Sequence, residues 1–296
     1  MKAQRGAALL LTVVLIGALG VAVLGGQSLI RQLGYMAVRD AFAHRTVNSG
    51  ADHELRSRSV DVYYPPGHRG DAELTLDEAR STLGQVEYWV GYDVPAPVPF
   101  LVEPSQAAIQ KAVGLTSVES VVGVYYRGVV YVLAPSAWAS GSPGLSSAQV
   151  FDQQGPVPHE LTHYVLDAEA DGNFPSWYTE GLAQFVDRKI TGYLWLTPRN
   201  DLTQVALYSL QQLDISFYSL PNQALAYREA YSLVALLEQR RGVQGLHALD
   251  AALGKGVPFA QAVVQADGIS ESALMDLLRE QIAEDPSDYG AQPTRP

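Results

Sequence analysis

The chain has 296 residues, 47% of them hydrophobic and 17% charged, the balance of a globular protein rather than of a disordered or multi-pass membrane one. Its formal net charge of -11 argues against nucleic acid as a partner. There is no cysteine, which excludes disulfides, thiolate metal sites and a cysteine nucleophile, so any metal must be held by nitrogen and oxygen, and only six histidines are present.

Lys2 and Arg5 precede an uncharged apolar run over residues 7–26. Some 20 residues at ~1.5 Å each match a bilayer core of ~30 Å, which predicts an N-terminal transmembrane helix. The competing reading is a cleaved signal, with Gly25 and Gly26 leaving room for cleavage and the product secreted. The flanking basic residues place the N-terminus in the cytoplasm and the bulk of the chain outside the cell membrane, although Arg31, Arg39 and Arg45 weaken the asymmetry. Residues 27–50 read as a stem or linker, either a partly amphipathic helix or a continuation of the anchor.

Val60, Val62 and Tyr64 alternate with polar residues before Pro65-Pro66-Gly67, the pattern of a strand and a turn. Thr75 and Glu78 form a candidate capping box for a helix whose face is Ala79, Leu83, Val86 and Val90. Residues 98–102 predict a short strand, and Ser105 a cap for a helix reaching about Val113. The runs 121–126 and 129–133, separated by Arg127-Gly128, predict a hairpin, either an internal one or one whose edge pairs with an extended peptide. Residues 139–154, rich in Ser, Gly and Gln, read as a loop. From Pro156 the spacing becomes helical, predicting helices over 157–170, 176–189, 202–213, 223–241, 243–253, 257–266 and 271–284. Residues 286–296 read as a disordered tail. The expected fold is therefore α+β, one domain over 51–285 with a mixed N-terminal half packed on a helical C-terminal half and a cleft between them, behind an anchor or signal at 1–26.

His159-Glu160-Leu161-Thr162-His163 is an H-E-x-x-H sequence. Two imidazoles four residues apart share a helix face and can hold one zinc ion, and the intervening glutamate can reach a water on the metal as general base. A catalytic zinc takes a third protein ligand and keeps one position open. Glu180, in the first turn of the helix that follows the break at Asp171-Gly172-Asn173, can return to the two histidines; Gly181 and Ala183 would allow close helix approach. Asp167 competes for the third position, but a straight helix carries it too far along the axis. Tyr227 and Tyr231 are candidate donors to the oxyanion of peptide hydrolysis, and His247 reads as structural.

The zinc motif, with Pro175, Trp177, Glu180, Gly181 and Ala183 after it, resembles the gluzincin superfamily of thermolysin-like zincins, and most of all the peptidase MA-like families of bacterial envelopes. The hairpin Gly123 to Tyr131 and the helix from Ala226-Tyr227 resemble theirs more weakly. The resemblance implies a zincin-like domain with one zinc per chain held by His159, His163 and Glu180, with Glu160 catalytic, Tyr227 favoured over Tyr231, and a peptide or protein as substrate. Thermolysin-like enzymes carry an acidic residue four positions after the glutamate ligand to orient a histidine; here Gln184 stands there, with Asp187 a turn further on. Competing expectations are a catalytically inactive binding or assembly module on the membrane and a zinc hydrolase of a non-peptide bond.

Overall fold

The computed structural model describes residues 26–50, 53–114, 121–139 and 145–290. Five strands form one sheet: β1 (His53–Arg56), β2 (Val60–Tyr64), β3 (Val98–Glu103), β4 (Gly123–Tyr126) and β5 (Val129–Leu133), in the order β1-β2-β3-β5-β4. β2, β3 and β5 run parallel, and β1 and β4 are antiparallel at the two edges. Side chains of a strand alternate between faces, and the sequence uses both. Phe100, Val102, Val130 and Val132 enter the main core, while Leu101, Val129, Tyr131 and Leu133 build a smaller one on the other face with Ile109.

α1 (Gly26–Gly50) precedes the sheet. α2 (Arg69–Val90) connects parallel β2 and β3 and lays Ala79, Leu83, Val86 and Val90 on the main core. It begins six residues before Thr75, which is not a cap: Thr75 Oγ1 donates to the Asp71 carbonyl inside the helix, at 2.9 Å. α3 (Gln106–Val113) starts at Ser105, whose hydroxyl accepts the Ala108 amide. Within the span read as a loop lies α4 (Ser147–Gln154), closed by a capping box of Ser146 and Gln149 and buried through Val150 and Phe151. A single turn of apolar contact was too short for its period to stand out among polar neighbours.

The C-terminal half is helical: α5 (Val157–Ala170), α6 (Ser176–Thr191), α7 (Leu210–Ser216), α8 (Gln223–Gly254), α9 (Phe259–Asp267) and α10 (Glu271–Glu284). The helix expected over 202–213 is cut to α7, because Glu229 of α8 accepts the Tyr208 amide with both carboxylate oxygens, at 3.0 Å and 3.1 Å, and holds 201–209 irregular. α8 bends at Gly242 (φ 65, ψ -174), the point that separates the two helices read in the sequence.

Two expectations about the ends change. The stem is a helix that packs on the domain: Phe42 meets the Tyr126 ring edge-on at 5.4 Å, and Tyr35 and Arg39 reach Asp167. Residues 286–290 form a turn against the domain, where Arg228 Nη2 donates to the Asp288 carbonyl and the Leu202 amide to that of Tyr289; residues 291–296 lie outside the described chain. The apolar run over 7–26 also lies almost wholly outside it, and among the described residues no helix is long and apolar enough to cross a membrane.

Candidate active site

α5 starts at Pro156 and Pro158, positions where a missing amide hydrogen costs nothing. Leu161, Val165 and Leu166 are fully buried on one face, and Glu160 and His163 turn instead toward Tyr125 of β4 and Thr179 of α6. The helix stops at Asp171, in the left-handed conformation (φ 49), followed by Gly172 (φ 70). Asn173 then ties the turn to the end of α8 by donating to the carbonyls of Leu253 and Val257, both at 2.9 Å. Pro175 starts α6 at once, so Glu180 in its second turn lies beside the histidines. Gly181 permits a close approach, though not to α5: a Cβ there would sit 2.3 Å from the Ala230 carbonyl oxygen of α8.

Three lone-pair atoms meet. His159 Nε2 and His163 Nε2 are 3.1 Å apart, and Glu180 Oε2 lies 3.3 Å from the first and 3.4 Å from the second. Zinc with bonds of ~2.0–2.1 Å in a tetrahedron sets its ligand atoms about 3.3 Å apart, so the residues present fit that ion. Glu180 Oε2 is buried and has no aligned hydrogen-bond donor, whereas Oε1 accepts the Tyr218 hydroxyl at 2.7 Å. Burial alone would raise the Glu180 pKa, but the charge of His163 and contacts with both histidines hold it well below the carboxylate range. Burial lowers His159 while Glu180 and Glu160 raise it, with a net rise to about 9. The cluster is thus built to hold positive charge. Asp167, the competing ligand, stands outside it and is bonded to Tyr35 and Tyr125.

The surrounding contacts orient these groups. His163 Nδ1 lies 2.7 Å from Thr179 Oγ1. Beyond Glu180 and Glu160, the further negative charge acting on His159 comes from Asp187, not from the position of Gln184; burial raises the Asp187 pKa to about 6, against the pull of His159. Glu160 Oε2 accepts the Tyr125 amide of β4 at 2.6 Å. Burial pushes the Glu160 pKa up, opposed by His159, His163 and that amide, the direction wanted of a group that exchanges a proton near neutral pH. β4 passes close above α5 because Gly123 has no side chain; a Cβ there would lie 2.4 Å from Pro156.

Tyr227 is near Glu180, and burial together with that carboxylate raises its pKa. Tyr231 instead packs near Phe185. His247 lies far from the site in the sequence and bonds the Tyr88 carbonyl at 2.7 Å. Tyr125, Thr179 and Tyr218 are site residues whose roles the sequence did not reveal. Tyr125 and Thr179 stand within motif-bearing segments, but Tyr218 follows a polar stretch with no signal of its own.

No curated protein shows significant similarity to the chain. Residues 117–284, more than half of it, match the family model described as Peptidase MA superfamily, a span that holds both histidines, Glu160, Glu180, Tyr218 and Tyr227. With that match over the segment that builds this site, the chain belongs to the Peptidase MA superfamily.

Proposed function

We propose that the protein is a zinc-dependent peptidase in which His159, His163 and Glu180 hold one ion and Glu160 is the general base. The observation that carries this is the convergence of two imidazole nitrogens and a buried carboxylate oxygen within 3.1–3.4 Å, with a second glutamate next to them. Bound zinc would act as a Lewis acid that lowers the pKa of a water toward ~7. Glu160, its carboxylate held in place by the Tyr125 amide, would accept the proton of the attacking water and deliver it to the leaving amine. The Tyr218 hydroxyl donates to Glu180 Oε1 and so steadies that ligand, and the Tyr227 hydroxyl beside the same carboxylate is the donor offered to the oxyanion that develops at the substrate carbonyl.

The arrangement of β4 supports an extended peptide as substrate. β4 is an edge strand, and the Tyr125 amide points away from β5 toward the catalytic helix. With a period of two, the backbone groups of Gly123 face the same way, and a peptide lying antiparallel to β4 could pair with that edge. The apolar run over 7–26 supports a site on the outer side of the cell membrane, tethered by its N-terminal segment.

The test compares two glutamates. Glu160→Gln should keep zinc and lose ~100- to 10,000-fold in peptide hydrolysis, since the amide cannot accept the proton. Glu180→Gln should lose zinc affinity and rate together. If Glu160→Gln cleaves as fast as the wild type, the catalytic reading is wrong. A wild type that binds zinc yet cleaves nothing in a broad peptide library is instead a binding module on this scaffold.

A further inference from the structure

Tyr125 makes two bonds in opposite directions. Its amide holds Glu160 Oε2 at 2.6 Å, and its hydroxyl donates to Asp167 Oδ2. The same hydroxyl accepts the Gly128 amide at 3.1 Å, which fixes the β4–β5 turn to the ring. Asp167 is fully buried one turn beyond His163, and its second oxygen accepts the Tyr35 hydroxyl of α1 at 2.8 Å. Arg39, one turn further along α1, donates to the Asp167 backbone carbonyl at 3.1 Å and stands 3.7 Å from Oδ2 and 3.8 Å from Asp171 Oδ1. The Arg39 stem also covers the turn, where a Cβ on Gly128 would lie 3.0 Å from its Cγ.

From these contacts we infer that Tyr35 and Arg39 of α1 are positioning residues for Glu160, acting through Asp167 and Tyr125. The inference rests on the reading of Glu160 as the base. A buried carboxylate deprived of its cation and of one of two donors becomes costly to keep charged. Without α1, Asp167 keeps the Tyr125 hydroxyl but loses Tyr35 and Arg39, so the carboxylate that anchors Tyr125, whose amide holds Glu160, is itself less firmly fixed. Catalytic groups misplaced by ~1 Å lose on the order of 100-fold in rate, so a relay of this kind acts on kcat and leaves the metal ligands alone. It also gives α1 a role beyond a tether. The helix that follows the N-terminal apolar run in sequence completes the support of the active site, so hydrolysis depends on α1 being docked.

The experiment uses the full chain with Tyr35→Phe, Arg39→Ala and the double variant. Expected are a roughly tenfold or greater fall in kcat on the peptide used for the Glu160 test, an unchanged KM and zinc content, and partial recovery with Arg39→Lys. Tyr35→Phe keeps its ring against Gly172 and removes only the hydroxyl, so it reads the relay even where the double variant unfolds. Hydrogen exchange gives a readout independent of activity: the Tyr125 amide, protected by Glu160, should exchange at least tenfold faster in folded Tyr35→Phe or double-variant protein. Exchange at Tyr125 equal to that of the wild type overturns the inference whatever the activity. A wild type without hydrolase activity overturns the function instead, and the exchange result still decides this one.

Discussion

His163 can offer Nε2 to a metal only if its proton sits on Nδ1, and the Thr179 hydroxyl 2.7 Å from Nδ1 is the acceptor that selects this tautomer. Thr179→Val keeps the shape and removes the acceptor. Zinc affinity, measured by competition with a chelator, should fall about 10- to 100-fold, and an unchanged affinity would remove Thr179 from the site. The pair His159 and His163 was readable because their relation is local: four residues on a helix define a face. Glu180 was readable because a break and a new helix leave the chain few ways to travel between. Thr179, Tyr125 and Tyr218 were not, because each works through a contact set by how α6, β4 and the 217–219 turn pack on α5, which no spacing encodes. The charged neighbour of His159 shows the same limit. The sequence offers Gln184 or Asp187, and only the packing puts the Asp187 charge to work on that ring.

Helices with a long apolar period, α5, α6, α8 and α10, could be read to within a few residues, and α4 and the start of α2 could not, because polar residues there hide the buried face. β1 was invisible for a related reason: His53–Arg56 is an exposed polar edge strand defined by its pairing with β2. Glu229 shows how an element can be shortened from a distance. It is fully buried in α8, takes the Tyr208 amide, and burial pushes its pKa to about 8 against the pull of that amide. An acid raised in the folded state holds a proton that the unfolded chain releases at ~4.3. The folded form therefore binds more protons between about pH 4.5 and 8, and stability should fall as pH rises through that window and level off above it. Glu229→Gln should remove most of this slope while keeping an acceptor for Tyr208. Denaturant unfolding at several pH values measures it, and an unchanged slope would mean that other groups set the pH dependence.

For the molecule as a whole, the succession of mixed and helical halves was legible, while the strand order was not, since parallel crossovers bring together strands distant in sequence. One core joins the halves: Phe100 and Val130 of the sheet, Leu161 of α5, Leu182 of α6 and Leu233 of α8 belong to a single buried cluster. Among its described side chains, α1 gives nothing to that cluster and only Ala43 to the edge of the smaller one. A chain beginning at residue 51 should accordingly fold and bind zinc. It should nevertheless be less stable, because Asp167 loses Arg39 and Tyr35, and Tyr126 loses the Phe42 ring. Breaking a buried ion pair by removing one partner costs ~3–5 kcal/mol, an upper bound here because Tyr125 still serves Asp167. The shortened chain should unfold at lower denaturant than the full chain, and Asp167→Asn within it should recover part of the loss, since the amide needs no cation. If the shortened chain instead matches the full chain in midpoint, α1 rests on the surface without stabilising it. Failure to fold at all would make α1 part of the core, contrary to the burial pattern.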